Sequence, residues 1–363
     1  MVRKTSHIKR LANLKKIPIS LVGVKRNYDR ILNDTTKSLN EWTGNYEAVE
    51  IHLGRMFSQV FQKHSKDEEE QLFISGTKTT TPSLKKVSSA PVKPWFFSRV
   101  FALLGFSFLL LWCLMFVFSS DKVSTGLTFI GSLTVPMSLL MLFFEINVYR
   151  NLSFMKIFEI FLIGGILAII ATMILYDIVP ISNDMNFWAA FLIGFVEETA
   201  KLLIIIYYTN QFKIKYIFNG MLIGAAIGAG FSVIENAGYT SQYGLITLLI
   251  RSWQTIGTHT IWAAILGAAV VIGKKTKAQF SIYDFSTKIF FRFYLFVILL
   301  HTFWDWTIPF DIFYYCDLQK ILLILIGWMM VIVLIDAGLR EVRTLQGQRI
   351  IERKSRRKKR LLK

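Results

Sequence analysis

Three ionisable residues, Glu197, Glu198 and Lys201, sit in the middle of the otherwise apolar run "FLIGFVEETAKLLIIIYY", residues 191–208. On a helix, spacings of four and three bring both carboxylates to the ammonium. One carboxylate neutralises Lys201, and the other is left over to act as general base on a water. For this run taken alone, a packing or insertion device without chemistry is an equal reading. Further along, "FSVIEN" ends in Glu235 and Asn236, "HTIWAAILG" opens with His259, and "HTFWD" sets His301 and Asp305 four residues apart. Asp305 is placed to orient the His301 ring and satisfy its N–H. Two histidines and several carboxylates, without a Ser or Cys nucleophile in an established arrangement, point to activated water and so to hydrolysis. That chemistry requires no cofactor. A divalent metal such as zinc, held by Glu197, Glu235, His259 and His301, is the alternative, although no HExxH helix supports it.

The elements that must position these groups are membrane spans. The chain has 363 residues, 53% of them apolar, including 31 Phe, well beyond the usual globular balance. Eight candidate helices are long enough for a hydrocarbon core of about 30 Å. They run near 96–118, 126–146, 157–176, 187–208, 217–236, 254–273, 289–307 and 319–338. The expected fold is an all-α polytopic membrane protein in three parts. Residues 1–94 are a polar, basic extension and linker, 95–338 an eight-span domain, and 339–363 a basic tail. The extension reads as a solvated arm followed by a flexible tether rich in Ser, Thr, Pro and Lys.

The net charge of +18 serves orientation and attraction to anionic lipid better than nucleic-acid binding, because basic runs beside spans set topology. Lys and Arg cluster after the second, fourth, sixth and eighth spans, whereas "DIVPISNDMN" and "IPFDIFYYCDL" carry none. Both termini are therefore expected in the cytoplasm, with the protein multi-pass in the cell membrane. The N-terminus has no apolar run of the signal-peptide kind, and two cysteines give neither a disulfide framework nor a thiolate metal site. One segment fits poorly. Residues 237–253 are too short in their apolar centre to span and carry Arg251 on the charge-poor side, which suggests an interfacial or re-entrant piece.

Depth joins the polar residues. A charge at the centre of a span costs about 2.5–3.5 kcal/mol on insertion scales, so such groups are kept for a pathway, a site or a specific pair. The topology puts Glu197 and Glu198 roughly 15 Å below the outer boundary, with Glu235, His259 and His301 in the same half. Gly220, Gly224 and Gly228 recur every four residues, a smooth stripe for close approach of a neighbouring helix, and the same face continues to Phe231 and Glu235. A substrate helix unwinding beside that stripe is the expected docking mode. A proton- or ion-coupled transporter would also use such residues, but no inverted repeat is evident. A non-catalytic immunity or scaffold protein is a third reading.

Together, "EETAK", "FSVIEN", "HTIWAAILG" and "HTFWD", in that order, resemble the motifs of the PrsW family of intramembrane proteases. That family lies within the wider group of CAAX-prenyl-endopeptidase-like and bacteriocin-processing membrane proteins. "VPMSLLMLFFEINVYRN", with Pro136 and Glu145, resembles the family's early span, so the likeness covers about 96–338. It implies a helical intramembrane endopeptidase with Glu197 as general base and Glu198 and Lys201 as its supporting pair. Glu235, His259 and His301 would orient water or stabilise an oxyanion. It also implies a membrane-anchored protein substrate, such as an anti-sigma factor, cut near the outer face. The CAAX enzymes show FxxxH and HxxxN where this chain has Phe231 to Glu235 and His301 to Asp305. An ionised Asp305 cannot donate to an oxyanion, which leaves that role to Asn236 or a protonated His259.

Overall fold

The computed structural model describes residues 33–47, 49–118, 121–182, 184–306 and 318–361; the side chains of 121 and 352–361 are outside that description. The basic start of the chain, Cys316 and the connection 307–317 therefore lie outside the described residues. Within them the chain is all-α.

A short helix, α1 (Lys66–Phe73), precedes the long ones and is closed by a capping box between Ser65 and Glu68. Then follow α2 (Phe96–Phe118), α3 (Asp121–Ile146), α4 (Phe154–Ile178), α5 (Phe187–Gln211) and α6 (Ile217–Tyr243). After these come α7 (Leu245–Gln254), α8 (His259–Lys274), α9 (Lys288–Asp305) and α10 (Leu318–Leu361). The starts of α4 and α5 are set by Ser153 and Asn186, whose side chains accept from the N–H groups of Lys156 and Ala189.

Among the described residues, six helical segments are long and apolar enough to cross a membrane. They are α2, Lys122–Ile146 of α3, α4, α6, the combined run Leu245–Lys274, and Leu318–Ile351 of α10. The chain is thus an all-α polytopic membrane protein. The other two expected spans, α5 and α9, carry too many charges for that description: Glu197, Glu198 and Lys201 in one, Lys288, Arg292 and Asp305 in the other.

Two boundaries differ from the sequence reading. Helix α6 runs on through Tyr243 because polar residues at its end find partners: Thr240 bonds back to the Asn236 carbonyl, and Asn236 bonds to Thr255. The expected sixth span, 254–273, is a 3-10 turn at Thr255–Gly257 followed by α8, and the poorly fitting run before it, 237–253, is helical as the end of α6 and α7. The Gly stripe is also occupied. A Cβ at Gly220, Gly224 or Gly228 would run into the backbone carbonyls of Gly267, Ala263 and His259 respectively, so α8 itself fills the face expected to receive substrate. This seam is dry, with Ala225, Ala226, Ala263 and Ala264 fully buried.

The basic connections gather at one end. Tyr149 stacks on Tyr216 with ring centres 3.9 Å apart, Lys156 lies over the Phe212 ring, and Asn210 exchanges hydrogen bonds with the backbone of Phe280. Residues of the expected solvated arm and of the tether after it pack here. Met56, Leu72 and Val87 are buried, Gln346 donates to the carbonyls of Leu84 and Val87, and Trp42 packs edge-on against Phe293 and Phe296. Helix α10 continues without a break from its apolar half into the basic tail.

Candidate active site

Glycine places the first two elements. A Cβ at Gly194 would lie 3.2 Å from both the His301 Cβ and the Ile298 carbonyl, so α9 can lie close on α5 only because that side chain is missing. One turn further, α5 presents Glu197, Glu198 and Lys201 toward α8 and α9. The sequence expectation that both carboxylates reach the ammonium holds: Lys201 Nζ is 3.2 Å from Glu197 Oε2 and 2.8 Å from Glu198 Oε1. It is also 2.9 Å from His259 Nδ1 and lies over the Phe231 ring. With Lys201 fully buried, these contacts replace the water that an ammonium loses.

The histidines extend the network in two directions. His301 Nδ1 is 2.9 Å from Glu198 Oε1, and its Nε2 is 3.4 Å from Asp305 and 3.9 Å from Glu197. His259 Nε2 is 2.8 Å from Glu235 Oε2. Trp262 lies beside both rings, its ring centre 4.7 Å from that of His301 and 5.1 Å from that of His259. Seven of the eight expected site residues, on α5, α6, α8 and α9, thus form one connected cluster. Asn236 is the exception. Its amide N–H is taken by Thr255 and its oxygen by Arg251, so it braces α7 and the turn after it instead of facing the histidines, and meets the cluster through Arg251 alone.

Sequence reasoning missed two members. Tyr176, near the end of α4, donates to Glu197 Oε1 at 2.9 Å, and nothing in its apolar surroundings marked it. Arg251 of α7 donates to Glu235 Oε2 at 2.6 Å. Its signal was the very misfit noted above, a cation on the side of the membrane where none was expected.

The two adjacent glutamates are not equivalent. Glu198 has no exposure and is held by Lys201 and His301, whereas Glu197 retains 8% beside Tyr176. Four carboxylates, Glu197, Glu198, Glu235 and Asp305, face two permanent cations, Lys201 and Arg251. The negative charge in excess calls for added protons in the cluster or for a divalent cation.

The residues fit such an ion. One donor atom from each of Glu197, Glu198, His259 and His301 lies within 4.8 Å of the others, and all four residues are buried. Glu198 Oε2 is buried without a hydrogen-bond partner, an acceptor that a cation would satisfy. Glu198 stands where Glu235 was expected, because Arg251 holds Glu235 on the far side of His259.

A bundle of membrane helices enclosing buried carboxylates, imidazoles and one ammonium defines a polytopic membrane protein with an intramembrane polar site. The family described as PrsW family intramembrane metalloprotease matches residues 153–335, half of the chain, and the chain belongs to that family. Protease PrsW of Shouchella clausii (strain KSM-K16) is 25% identical over 142 residues, 38% of this chain and 66% of the relative. Protease PrsW of Halalkalibacterium halodurans is 25% identical over 142 residues, 38% of this chain and 65% of the relative. The chain therefore spans just under two thirds of the length of the curated relatives it matches. No solved structure matches it. The family match begins after α3, so the early-span likeness read from Pro136 and Glu145 falls outside it.

Proposed function

We propose that this protein is an intramembrane endopeptidase that hydrolyses a peptide bond of a membrane-anchored protein, with Glu197 as general base. The observation that carries this reading is the inequality of the paired glutamates. Glu197 keeps a small exposure, accepts from Tyr176 and has one contact to Lys201 at 3.2 Å, while Glu198 is enclosed and tied at 2.8 and 2.9 Å to Lys201 and His301. A base must be reachable by water and free to accept a proton, and of the two only Glu197 is.

Glu197 takes a proton from a water, whose oxygen adds to the scissile carbonyl carbon. The proton then passes from Glu197 to the amine as the C–N bond breaks. Glu198 and Lys201 hold the base in place. His301, with a proton on Nε2, is the donor beside Glu197, since its contacts there are longer than ordinary hydrogen bonds and leave that N–H for a developing oxyanion. In a metal-loaded form Glu197, Glu198, His259 and His301 would instead hold a divalent ion, His301 giving up that donor role, and the ion would supply Lewis acidity and a more acidic water. The substrate class is a single-span protein, of which an anti-sigma factor is one example. The cut would fall near the face that the charge asymmetry assigns to the exterior of the cell membrane, with both termini cytoplasmic.

The test compares membrane proteomes of cells carrying the intact chain or Glu197→Gln at matched expression. An ectodomain trimmed only in the intact cells is expected, with loss of about 1000-fold or more in the variant. Undiminished trimming in the variant overturns the assignment of the base. Repeating the measurement on purified protein after chelation separates metal-assisted from metal-free hydrolysis.

A further inference from the structure

Helix α7 is a ten-residue segment with most of its apolar side chains exposed, including Ile246, Leu249, Ile250 and Trp253. Leu248 is its buried anchor, seated where Gly131 of α3 offers no side chain. Arg251 lies one turn beyond Leu248 and so points the same way, toward the interior. Its Nη2 donates to Glu235 Oε2 at 2.6 Å, its Nε to Asn236 Oδ1 at 2.7 Å, and its guanidinium lies 4.1 Å from the Tyr239 ring centre. Thr255 closes the circuit by accepting from Asn236 and donating to the Arg251 carbonyl.

The oxygen that Arg251 holds is the same one that meets His259 Nε2. On its other side, His259 Nδ1 meets Lys201 Nζ, and an ammonium has only protons to offer. Nδ1 must therefore be the bare acceptor, which puts the ring proton on Nε2, donated to Glu235. We infer that Arg251 is a positioning residue that, by fixing Glu235, holds His259 in the Nε2–H tautomer with Nδ1 turned to Lys201. A planar guanidinium suits this task because two of its donors grip neighbouring side chains at once. Without it, Glu235 is free to turn away, and both the ring's orientation and the third contact on Lys201 are lost.

Nitrogen spectroscopy of the purified chain with labelled histidine reads the tautomer directly, the His259 signal being assigned by its loss in His259→Gln. The expected result is a single Nε2–H tautomer in the intact chain, a mixture in Arg251→Met and in Glu235→Gln, and near-native behaviour in Arg251→Lys. An unchanged His259 signal in Arg251→Met overturns the inference; if that variant does not fold, an unchanged signal in Glu235→Gln does so. The effect on turnover rests on the protease reading. With the substrate found in the Glu197 comparison, Arg251→Met is expected to lower kcat by about 10- to 100-fold with little change in KM, and to add nothing in a Glu235→Gln background. Additive losses overturn the coupling. If the intact chain trims nothing, the protease reading fails, while the tautomer measurement still decides the role of Arg251.

Discussion

Glu145 and Glu341, beside the basic connections, accept hydrogen bonds largely from backbone. Glu145 takes the N–H groups of Trp95, Phe96 and Phe97 at 2.8–2.9 Å, and Glu341 takes the N–H of Ile217 together with the Tyr149 hydroxyl. Each carboxylate thereby caps the start of a helix it does not belong to, α2 and α6 respectively. Asp284, in the connection before α9, combines one backbone donor with two side-chain donors. Burial pushes its carboxyl up, but the Lys277 ammonium and the Ser281 backbone and hydroxyl donors outweigh burial and hold it below the usual carboxylate range. Glu197, Glu198 and Glu235, at the other end, bond to side chains alone: Lys201, His301, His259, Arg251 and Tyr176. A backbone donor is fixed and keeps its proton. An ammonium or imidazole can move or exchange one, so the second set is suited to proton transfer and the first to holding helices together.

The same isosteric change at the two ends should therefore give two phenotypes. Glu198→Gln has the larger expected effect. The ammonium then falls to Glu197 alone, and the oxygen that should accept the water's proton is held instead by Lys201. Trimming of the ectodomain is expected to drop about 100-fold, equivalent to ~3 kcal/mol on the barrier, with the fold retained. Wild-type trimming by a folded Glu198→Gln chain would remove the distinction between the two sets.

Glu145→Gln is expected to show the reverse. Its side-chain oxygen still accepts, but the new amide nitrogen faces a backbone N–H, which costs about 1–3 kcal/mol. Protease nicking of the arm between residues 53 and 95 should rise, because the start of α2 is what ties that arm to α3. Ectodomain trimming should stay within about threefold of wild type, a surface-like effect on the reaction. A loss as deep as that of Glu198→Gln would mean that the capping carboxylates also serve the chemistry.

The comparison also marks what the sequence could disclose. The spacing of Glu197, Glu198 and Lys201 on one helix is a local fact, and so is the four-residue rhythm of Gly220, Gly224 and Gly228; both are found as read. What fills the Gly stripe is not local. Ala263 and Gly267 stand four residues apart on α8, yet nothing in either run says that this side meets the Gly stripe and leaves no room for a substrate. The caps made by Glu145 and Glu341 join residues about 50 and 124 positions apart, beyond any periodicity. The arm read as solvated and the run after it as a tether because their buried anchors, Met56, Leu72 and Val87, are too few and too irregularly spaced to form an apolar pattern. Arg251 was visible as an anomaly of charge but had no partner in sequence, since the end of α6 was placed too early to bring Tyr239 onto the same helix.

The smallest expected effect tests the edge of the site. Tyr176 contributes one hydroxyl to Glu197 Oε1, a bond that would both steady the proposed base and compete for the lone pair that water needs. Tyr176→Phe keeps the ring and removes the donor, so the change is confined to about 1 kcal/mol, a factor of roughly five in rate. Its sign is informative. A fall in kcat means that Glu197 works from the position the hydroxyl holds. A rise means that the hydroxyl restrains the base and must leave it before water is activated. No change at all would place the working oxygen of Glu197 on the Lys201 side, at Oε2, and make Tyr176 part of the wall and not of the catalytic group.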